Sequence, residues 1–169
     1  MLPVHAPLPN LLLIHGALGA ADQLAPLAMA LGDAFNVEVL ELPGHGRTAP
    51  LSSTFSMDAF GAVIAGRIEA LGWAPARVFG YSMGGFAACR LALARPALIG
   101  SLATLGTLFD WSPSVAARES AMLDAARIRE KVPAFAALLD ERHQALAWEQ
   151  VLERTKGLLA QLGKDGGIQ

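Results

Sequence analysis

Apolar residues up to about position 105 follow two alternating spacings. Short continuous apolar runs are typical of strands buried on both faces of a parallel sheet, and apolar residues that recur every three or four positions are typical of one helix face. Residues 11–14 form such a continuous run, and the segments 37–40, 77–79 and 99–105 are the other predicted strands. Their alternation with helical segments predicts an α/β fold with a mostly parallel sheet of about four strands, covered by helices.

The pattern changes after the fourth predicted strand, where every readable segment is helical. Ser56 is suited to N-cap a helix of the first part, and Ser112 followed by Pro113 begins the helical part. One stripe near the end of the chain is expected to be a buried helix face rather than a ligand-binding motif: Trp148, Val151, Leu152, Thr155, Leu158, Leu159 and Leu162. We predict a core over residues 1–110 and a helical segment over 111–169.

Composition narrows the classes of function. Hydrophobic residues make up 53% of the chain and charged residues 17%, which provides ample material for a core. The formal net charge is −2 and no basic stripe is present, so nucleic acid is not an expected partner. The single cysteine, Cys89, can form neither an internal disulfide nor a thiolate metal site, and no metal is expected. The absence of a secretory signal and of a membrane-spanning run predicts a cytoplasmic protein that does not bind membranes.

The first candidate for chemistry is the sequence Gly-Tyr-Ser-Met-Gly at 80–84, between the third predicted strand and an apolar helix. Glycines at 80 and 84 remove side chains that would clash where the chain reverses, so the hydroxyl of Ser82 is exposed above the sheet edge. The N-terminus of the next helix points its free amides at the same place, which suits an oxyanion. Ser82 is therefore the predicted nucleophile, and Gly80 and Gly84 are the glycines that the turn requires.

A second glycine-rich turn, His-Gly-Ala-Leu-Gly at 15–19, also follows a buried strand. An oxyanion hole beside a serine on such a turn needs two backbone N–H groups, one of them from the residue after the nucleophile. Met83 is the predicted source of that donor. Ala17, in the earlier turn, is the first candidate for the second donor.

Three motifs, in this order, resemble the landmark motifs of the α/β-hydrolase fold superfamily: residues 15–19, the sequence Leu-Pro-Gly-His-Gly at 42–46, and residues 80–85. The resemblance covers almost the whole chain and is to small serine esterases, lactonases and C–C bond hydrolases, including the menaquinone-pathway lyase-like group. It implies that Ser82 is the nucleophile and that the helical segment is a cap or lid. A serine at this position argues against the haloalkane dehalogenase branch, which has an aspartate there.

The sequence departs from that family in its last part. The family's acid and base follow the cap on two further strands, in the order Ser, then Asp or Glu, then His. Those strands are absent from this sequence. We therefore expect a chain truncated at its C-terminus that lacks the acid and the base, and whose fourth strand is an uncovered sheet edge.

The four histidines supply no obvious replacement for that base. His5 is expected in a loose tail, and the resemblance implies that His15 is structural. His45 is expected to hold its own loop by hydrogen bonding, and His143, between charged neighbours, is expected to be solvated. Asp110, which follows the fourth strand, is a candidate acid with no histidine to orient.

The predicted function is that of a serine hydrolase. Ser82 would attack an ester, thioester or related carbonyl of a small acyl substrate and form an acyl-enzyme, and no cofactor is required. Two interpretations of Phe109, Trp111 and Met122 stay open, since these side chains either line an acyl pocket under the cap or pack the cap on the core.

Two alternatives to this hydrolase stay open. The chain could be a non-catalytic, hydrolase-like module that holds an apolar ligand while Ser82 is inert. In the other alternative a partner chain completes the sheet and supplies the base, which is the basis for expecting a homo-oligomer through the exposed edge of the fourth strand.

Overall fold

The computed structural model describes residues 7–168 of the chain. Its strands are β1 (Asn10–Ile14), β2 (Asn36–Leu40), β3 (Ala76–Tyr81) and β4 (Ile99–Leu105). Its α-helices are α1 (Ala21–Leu31), α2 (Met57–Leu71), α3 (Met83–Ala94), α4 (Pro113–Ala121), α5 (Ala125–Lys131), α6 (Pro133–Arg142) and α7 (Trp148–Asp165), and a 3₁₀-helix spans Pro96–Leu98.

The four strands of the described part form one sheet in the order β2-β1-β3-β4, and every neighbouring pair is parallel. The predicted α/β fold with a parallel sheet is therefore confirmed. The chain moves outward from β1 to β2 and then crosses back to β3 on the other side of β1. The carboxyl ends of β1 and β3 therefore flank the point where the strand order reverses, and in open α/β sheets ligands bind at this point.

The central strand β1 is buried on both faces because its side chains alternate between two cores. Leu12 and Ile14 belong to a large hydrophobic cluster that contains buried residues of α2 and α3. Leu11 and Leu13 belong to a smaller cluster with Leu24 of α1. Helices therefore cover both faces of the sheet, which explains why β1 is a continuous apolar run.

The helices after β4 pack on the same large cluster as α2 and α3. The side chains of α7 that take part are Trp148, Val151, Leu152, Leu158 and Leu162, all with an exposed fraction of 2% or less. The predicted caps are present, since the Ser56 hydroxyl accepts the Ala59 N–H and the Ser112 hydroxyl accepts the Val115 N–H. None of the helices within residues 7–168 combines the length and the apolar character needed to cross a membrane.

Strand β4 is an edge of the sheet formed by the described residues. Most of its side chains are exposed, and Leu105 at its end is 60% exposed. An apolar edge strand of this kind was expected from the sequence. Its carboxyl end nevertheless stabilises the turn at Ser82 that follows β3, because the Leu105 carbonyl oxygen accepts the Ser82 N–H at 2.8 Å.

The packing of α7 predicts that Leu152→Ala will lower the free energy of unfolding by about 2–5 kcal/mol, since the side chain is completely buried and its removal leaves a cavity. Glu153→Ala is the matched control on the same helix, because Glu153 is exposed, and it should change stability by no more than about 0.5 kcal/mol. Urea unfolding followed by circular dichroism measures both. Equal effects of the two substitutions would show that α7 is not packed as described.

Candidate active site

Ser82 lies on a sharp reversal between β3 and α3. Its φ of 49° and ψ of −114° are uncommon for a residue other than glycine and require support from the surroundings. That support comes from both backbone groups: the Ser82 N–H donates to the Leu105 carbonyl, and the Ser82 carbonyl accepts the Phe86 N–H and the Thr107 hydroxyl, both at 3.1 Å. The hydroxyl of Ser82 has no hydrogen-bond partner within residues 7–168.

Glycine is required on both sides of Ser82 because neighbouring backbone comes too close for a side chain. A Cβ at position 80 would collide with the backbone of Gly85, and a Cβ at position 84 would collide with the carbonyl oxygen of His15. The start of α3 is thereby pressed against the carboxyl end of β1. These contacts explain why positions 80 and 84 are glycine.

The turn that follows β1 lies directly beside this reversal. The Gly19 N–H donates to the Gly16 carbonyl at 3.1 Å, and Leu18 has a φ of 56°, as at the third position of a type II turn. A Cβ added to Gly16 would lie 3.1 Å from the Cβ of Ser82 and 2.9 Å from Cδ1 of Tyr81. We refer to residues 16–19 as the oxyanion turn, because Ala17 is the candidate donor within it.

Three of the predicted groups lie around one cavity of about 210 Å³: Ser82, Ala17 and Met83 all line it. Neither the Ala17 N–H nor the Met83 N–H donates to another group within the described range. Met83 is the first residue of α3, where the helix dipole is positive. The arrangement can therefore accept a negatively charged oxygen beside the Ser82 hydroxyl.

The walls of this cavity are mainly apolar. Trp111 and Met122 line it, whereas Phe109 is absent from its lining and is 38% exposed. Glu119 of α4 adds a carboxylate, which is paired with the neighbouring Arg118. The apolar lining residues that sequence reasoning did not identify are Met57, Phe86, Leu108, Leu123, Leu158, Leu159 and Leu162.

The α7 stripe illustrates why those residues were missed. Its spacing predicts only a face that packs on the core, and the stripe is buried. Thr155, Leu158 and Leu162 of the stripe also form part of the cavity wall. A helical apolar stripe has the same spacing whether it contacts core side chains or a ligand space. The sequence therefore contains no signal that separates the two uses.

His15 and His45 are buried and act as hydrogen-bonding groups in the core. His15 donates from Nδ1 to the Gly16 carbonyl at 2.8 Å and accepts the Leu42 N–H at Nε2. His45 donates from Nδ1 to the Pro43 carbonyl at 3.2 Å. Burial lowers the pKa of His15 to about 4 and the pKa of His45 to about 3. Both are therefore neutral near pH 7, and neither lines the cavity that contains Ser82.

The prediction that His143 is solvated is wrong. The residue is 5% exposed and follows the last residue of α6, where the chain turns toward the core. Its Nδ1 accepts the Gly46 N–H at 3.0 Å, and its Nε2 lies 3.2 Å from the Leu18 carbonyl oxygen. The polar neighbours in sequence were misleading because the last turn of α6 is exposed on one side only. Burial lowers the pKa of His143 as well.

None of the other candidates for proton transfer lies beside Ser82. Asp110 forms an isolated backbone bridge with Gly167 and does not line the cavity. His5 lies outside the described residues. Residues 7–168 contain no group of three or more His, Cys, Asp and Glu side chains arranged to bind a metal ion. The described cavity therefore contains the Ser82 hydroxyl, the candidate oxyanion donors and the Glu119 carboxylate, but no histidine.

Comparison with known proteins agrees with the motifs and the fold. The family model for the alpha/beta hydrolase fold matches residues 9–155. The chain is 32% identical over 146 residues to a pimeloyl-[acyl-carrier protein] methyl ester esterase of Chromobacterium violaceum, which covers 86% of this chain and 51% of that protein. It is 34% identical over 94 residues to the dihydrolipoyllysine-residue acetyltransferase component of the acetoin cleaving system of Cupriavidus necator, with 56% and 25% covered.

A solved structure gives the same picture at the level of the fold. NosK from Streptomyces actuosus superposes with a TM-score of 0.76 at 25% sequence identity, over 96% of this chain and 69% of that one. The chain spans about half the length of the Chromobacterium violaceum relative and about a quarter of the Cupriavidus necator relative, with 51% and 25% covered.

The buried histidines predict that the protein loses stability in acid. Because the pKa of His15 is lowered from 6.5 to about 4 and that of His45 from 6.5 to about 3, the unfolded chain binds more protons than the folded chain below pH 6.5. The melting temperature should be insensitive to these groups above pH 6.5 and fall as the pH decreases from 6.5 toward 4. For each histidine, a tenfold difference in proton affinity between the folded and the unfolded chain corresponds to about 1.4 kcal/mol.

Thermal unfolding between pH 4 and 8 measures this dependence. In His45→Asn one titrating ring is removed while a donor for the Pro43 carbonyl is retained, so the decrease with acid should be less steep than in the parent chain. A melting temperature that stays constant from pH 6.5 to 4 would contradict the burial of neutral histidines.

Proposed function

The chain belongs to the alpha/beta hydrolase fold family, and from that premise we propose that it carries the nucleophile and the oxyanion hole of a serine hydrolase. The substrate class is an ester, a thioester or a related carbonyl compound. The observation that carries the proposal is that Ser82, Ala17 and Met83 line one cavity, while the N–H groups of Ala17 and Met83 have no hydrogen-bond acceptor within residues 7–168.

In the proposed mechanism the Ser82 oxygen attacks the carbonyl carbon of the substrate. The hydroxyl proton passes to a base, and the carbonyl oxygen becomes an oxyanion that accepts hydrogen bonds from Ala17 and Met83. Collapse of this intermediate breaks the bond to the leaving group, which departs with a proton and leaves an acyl group on Ser82. Attack by water then releases the acid and restores the hydroxyl.

Helices α4–α7 are proposed to act as the cap of this site. Met122 and Leu123 follow α4, and Leu158 and Leu162 belong to α7; together they form cavity wall contributed by the part of the chain after β4. This supports an assignment of residues 111–169 to the cap and 1–110 to the core.

The lining of the cavity favours an apolar, uncharged acyl group. Trp111 and the aliphatic residues of α7 offer apolar surface, and burial of each CH₂ group of a substrate is worth about 0.8 kcal/mol. Glu119 brings a negative charge to the same wall, which disfavours an acyl chain that ends in a free carboxylate. The curated relative named a methyl ester esterase would act on a substrate within this class, as its name states.

No histidine within residues 7–168 is placed to act as the general base of this proposal. His15, His45 and His143 each use ring nitrogens for contacts elsewhere, and none lines the cavity. A base supplied by a second copy of the chain, through the edge strand β4, is one arrangement compatible with this requirement.

A second candidate function, an apolar-ligand-binding module, is favoured by one observation. Within residues 7–168 the Ser82 hydroxyl forms no hydrogen bond, and without a base a serine hydroxyl is a weak nucleophile. Saturable binding of an alkyl ester without turnover, unchanged in Ser82→Ala, would support this function. A hydrolysed product would exclude it.

With the base supplied by a second copy of the chain, an alkyl fluorophosphonate should label one residue, which intact-mass and peptide mass spectrometry would identify as Ser82. Ser82→Ala should abolish the adduct because it removes the attacking oxygen. Ser53→Ala, which removes an exposed serine from a loop, is the matched control and should be labelled like the parent chain. If a folded sample forms no adduct, the result would contradict the hydrolase function and support the ligand-binding module.

Ala17→Pro tests the oxyanion donor. Proline removes the N–H, and the second position of a type II turn accepts proline readily, so the fold of residues 16–19 should be retained. The rate constant of labelling should decrease by about 10²-fold, the usual effect of deleting one oxyanion donor. Ala17→Ser keeps the N–H and should be labelled at nearly the rate of the parent chain. Equal rates for the two variants would show that Ala17 is not a donor.

A further inference from the structure

The end of α6 reaches the oxyanion turn, although more than a hundred residues separate them in sequence. The Leu18 carbonyl oxygen accepts two hydrogen bonds from this end, one from Nη1 of Arg142 at 3.1 Å and one from Nε2 of His143 at 3.2 Å. Arg142 is itself held by Asp22, at the start of α1, through Nε at 3.0 Å and Nη2 at 2.9 Å. These contacts link the turn before α1 to the helices after β4.

The hydrogen bonds of His143 define its protonation. The Gly46 N–H can only donate, so Nδ1 of His143 carries a lone pair, and Nε2 of the neutral ring carries the proton that it donates to the Leu18 carbonyl. The Gly46 carbonyl in turn accepts the N–H groups of Gln144 and Ala145, at 2.8 and 3.1 Å. His143 therefore connects the glycine-rich loop after β2 with the oxyanion turn after β1.

The oxyanion turn needs such support. Leu18 has a φ of 56°, in the left-handed region that is unfavourable for residues other than glycine. On the preceding side of Ala17, the Gly16 N–H donates to Oε1 of Gln23 at 3.2 Å. On the following side, the restraint on the Leu18 carbonyl comes from Arg142 and His143. The backbone of Ala17 is thus fixed from both ends.

We propose that Arg142 and His143 are positioning residues, which hold the oxyanion turn in the conformation that presents the Ala17 N–H to the cavity beside Ser82. This inference rests on the proposed function, and neither residue touches the reacting atoms. It makes formation of the oxyanion hole depend on the docking of α6 against the core. Loss of the Leu18 contacts lets the strained residue relax, and the Ala17 donor is then no longer aimed at the developing charge.

The two nitrogens of His143 can be tested separately. His143→Gln places an amide N–H₂ near the position of Nε2, so it can still donate to Leu18 but cannot accept from Gly46 as the ring does. His143→Asn places its oxygen near the position of Nδ1, so it keeps the acceptor for Gly46 and loses the donor for Leu18. Each variant removes one buried hydrogen bond, so their effects on thermal stability should be similar.

The positioning role predicts that the fluorophosphonate labelling rate of His143→Asn decreases by about 10- to 100-fold, as expected for misplacement of a catalytic group, while His143→Gln keeps most of the rate. Arg142→Met is a second variant, because it removes a donor to Leu18 and leaves the Gly46 contacts in place. It should slow labelling in the same direction as His143→Asn. A purely structural role predicts equal rates for the two His143 variants, or a faster rate for Asn, and either result would overturn the inference.

Hydrogen exchange of the Gly19 N–H, followed by NMR, reports the turn without any need for labelling. Its bond to the Gly16 carbonyl closes the turn, so exchange should be faster in His143→Asn and Arg142→Met than in His143→Gln. If the parent chain is not labelled at Ser82, the proposed function fails, but this exchange pattern still decides the positioning role. Unchanged exchange in all three variants would exclude it.

Discussion

The approach of the start of α3 to the end of β1 is the constraint on which the rest of the site depends. Position 84 has no room for a Cβ because the His15 carbonyl oxygen occupies that space, and Gly16 is similarly close to Ser82. Two turns that are far apart in sequence are thereby brought into contact at the point where the strand order reverses. A side chain at either position would separate the Ser82 hydroxyl from the Ala17 N–H, whatever the quality of the remaining packing.

Neutral histidines lie in the same region and form hydrogen bonds between its loops. The rings of His15 and His45 lie 5.1 Å apart, and those of His45 and His143 lie 5.9 Å apart, between the two glycine-rich loops and the end of α6. A neutral imidazole offers one donor and one acceptor, so His15 and His143 each join two backbone segments, whereas Nε2 of His45 has no hydrogen-bond partner within residues 7–168. Protonation would convert each acceptor into a donor, and burial opposes that change. The histidines are therefore committed to structure, which agrees with the absence of all three from the cavity wall.

The features that could be predicted from sequence are those with local causes. The buried strands, the caps at Ser56 and Ser112 and the reversal at Ser82 each result from a few consecutive residues, and each is present. The environment of His143 and the exposure of Phe109 depend on how α6 and the segment after β4 pack on the core, and no short pattern records that packing. The sequence did not show that the α7 stripe both packs on the core and lines the cavity, because helical periodicity identifies a buried face but not the space next to that face.

Stabilising an oxyanion and removing a proton are separate tasks, and the proposal assigns described residues to the first task only. The proposed Met83 donor is fixed by β3 and the first turn of α3, and the proposed Ala17 donor by the turn after β1 together with the contacts of Arg142 and His143 with Leu18. These donors would be preorganised before any base is present, and an oxyanion hole alone retains part of the catalysis of a complete triad. The strained Ser82 backbone and the restrained turn support the proposal that residues 7–168 carry the groups that stabilise the oxyanion. In that proposal, the rate at which the preformed geometry is used would depend on the base that removes the proton from Ser82.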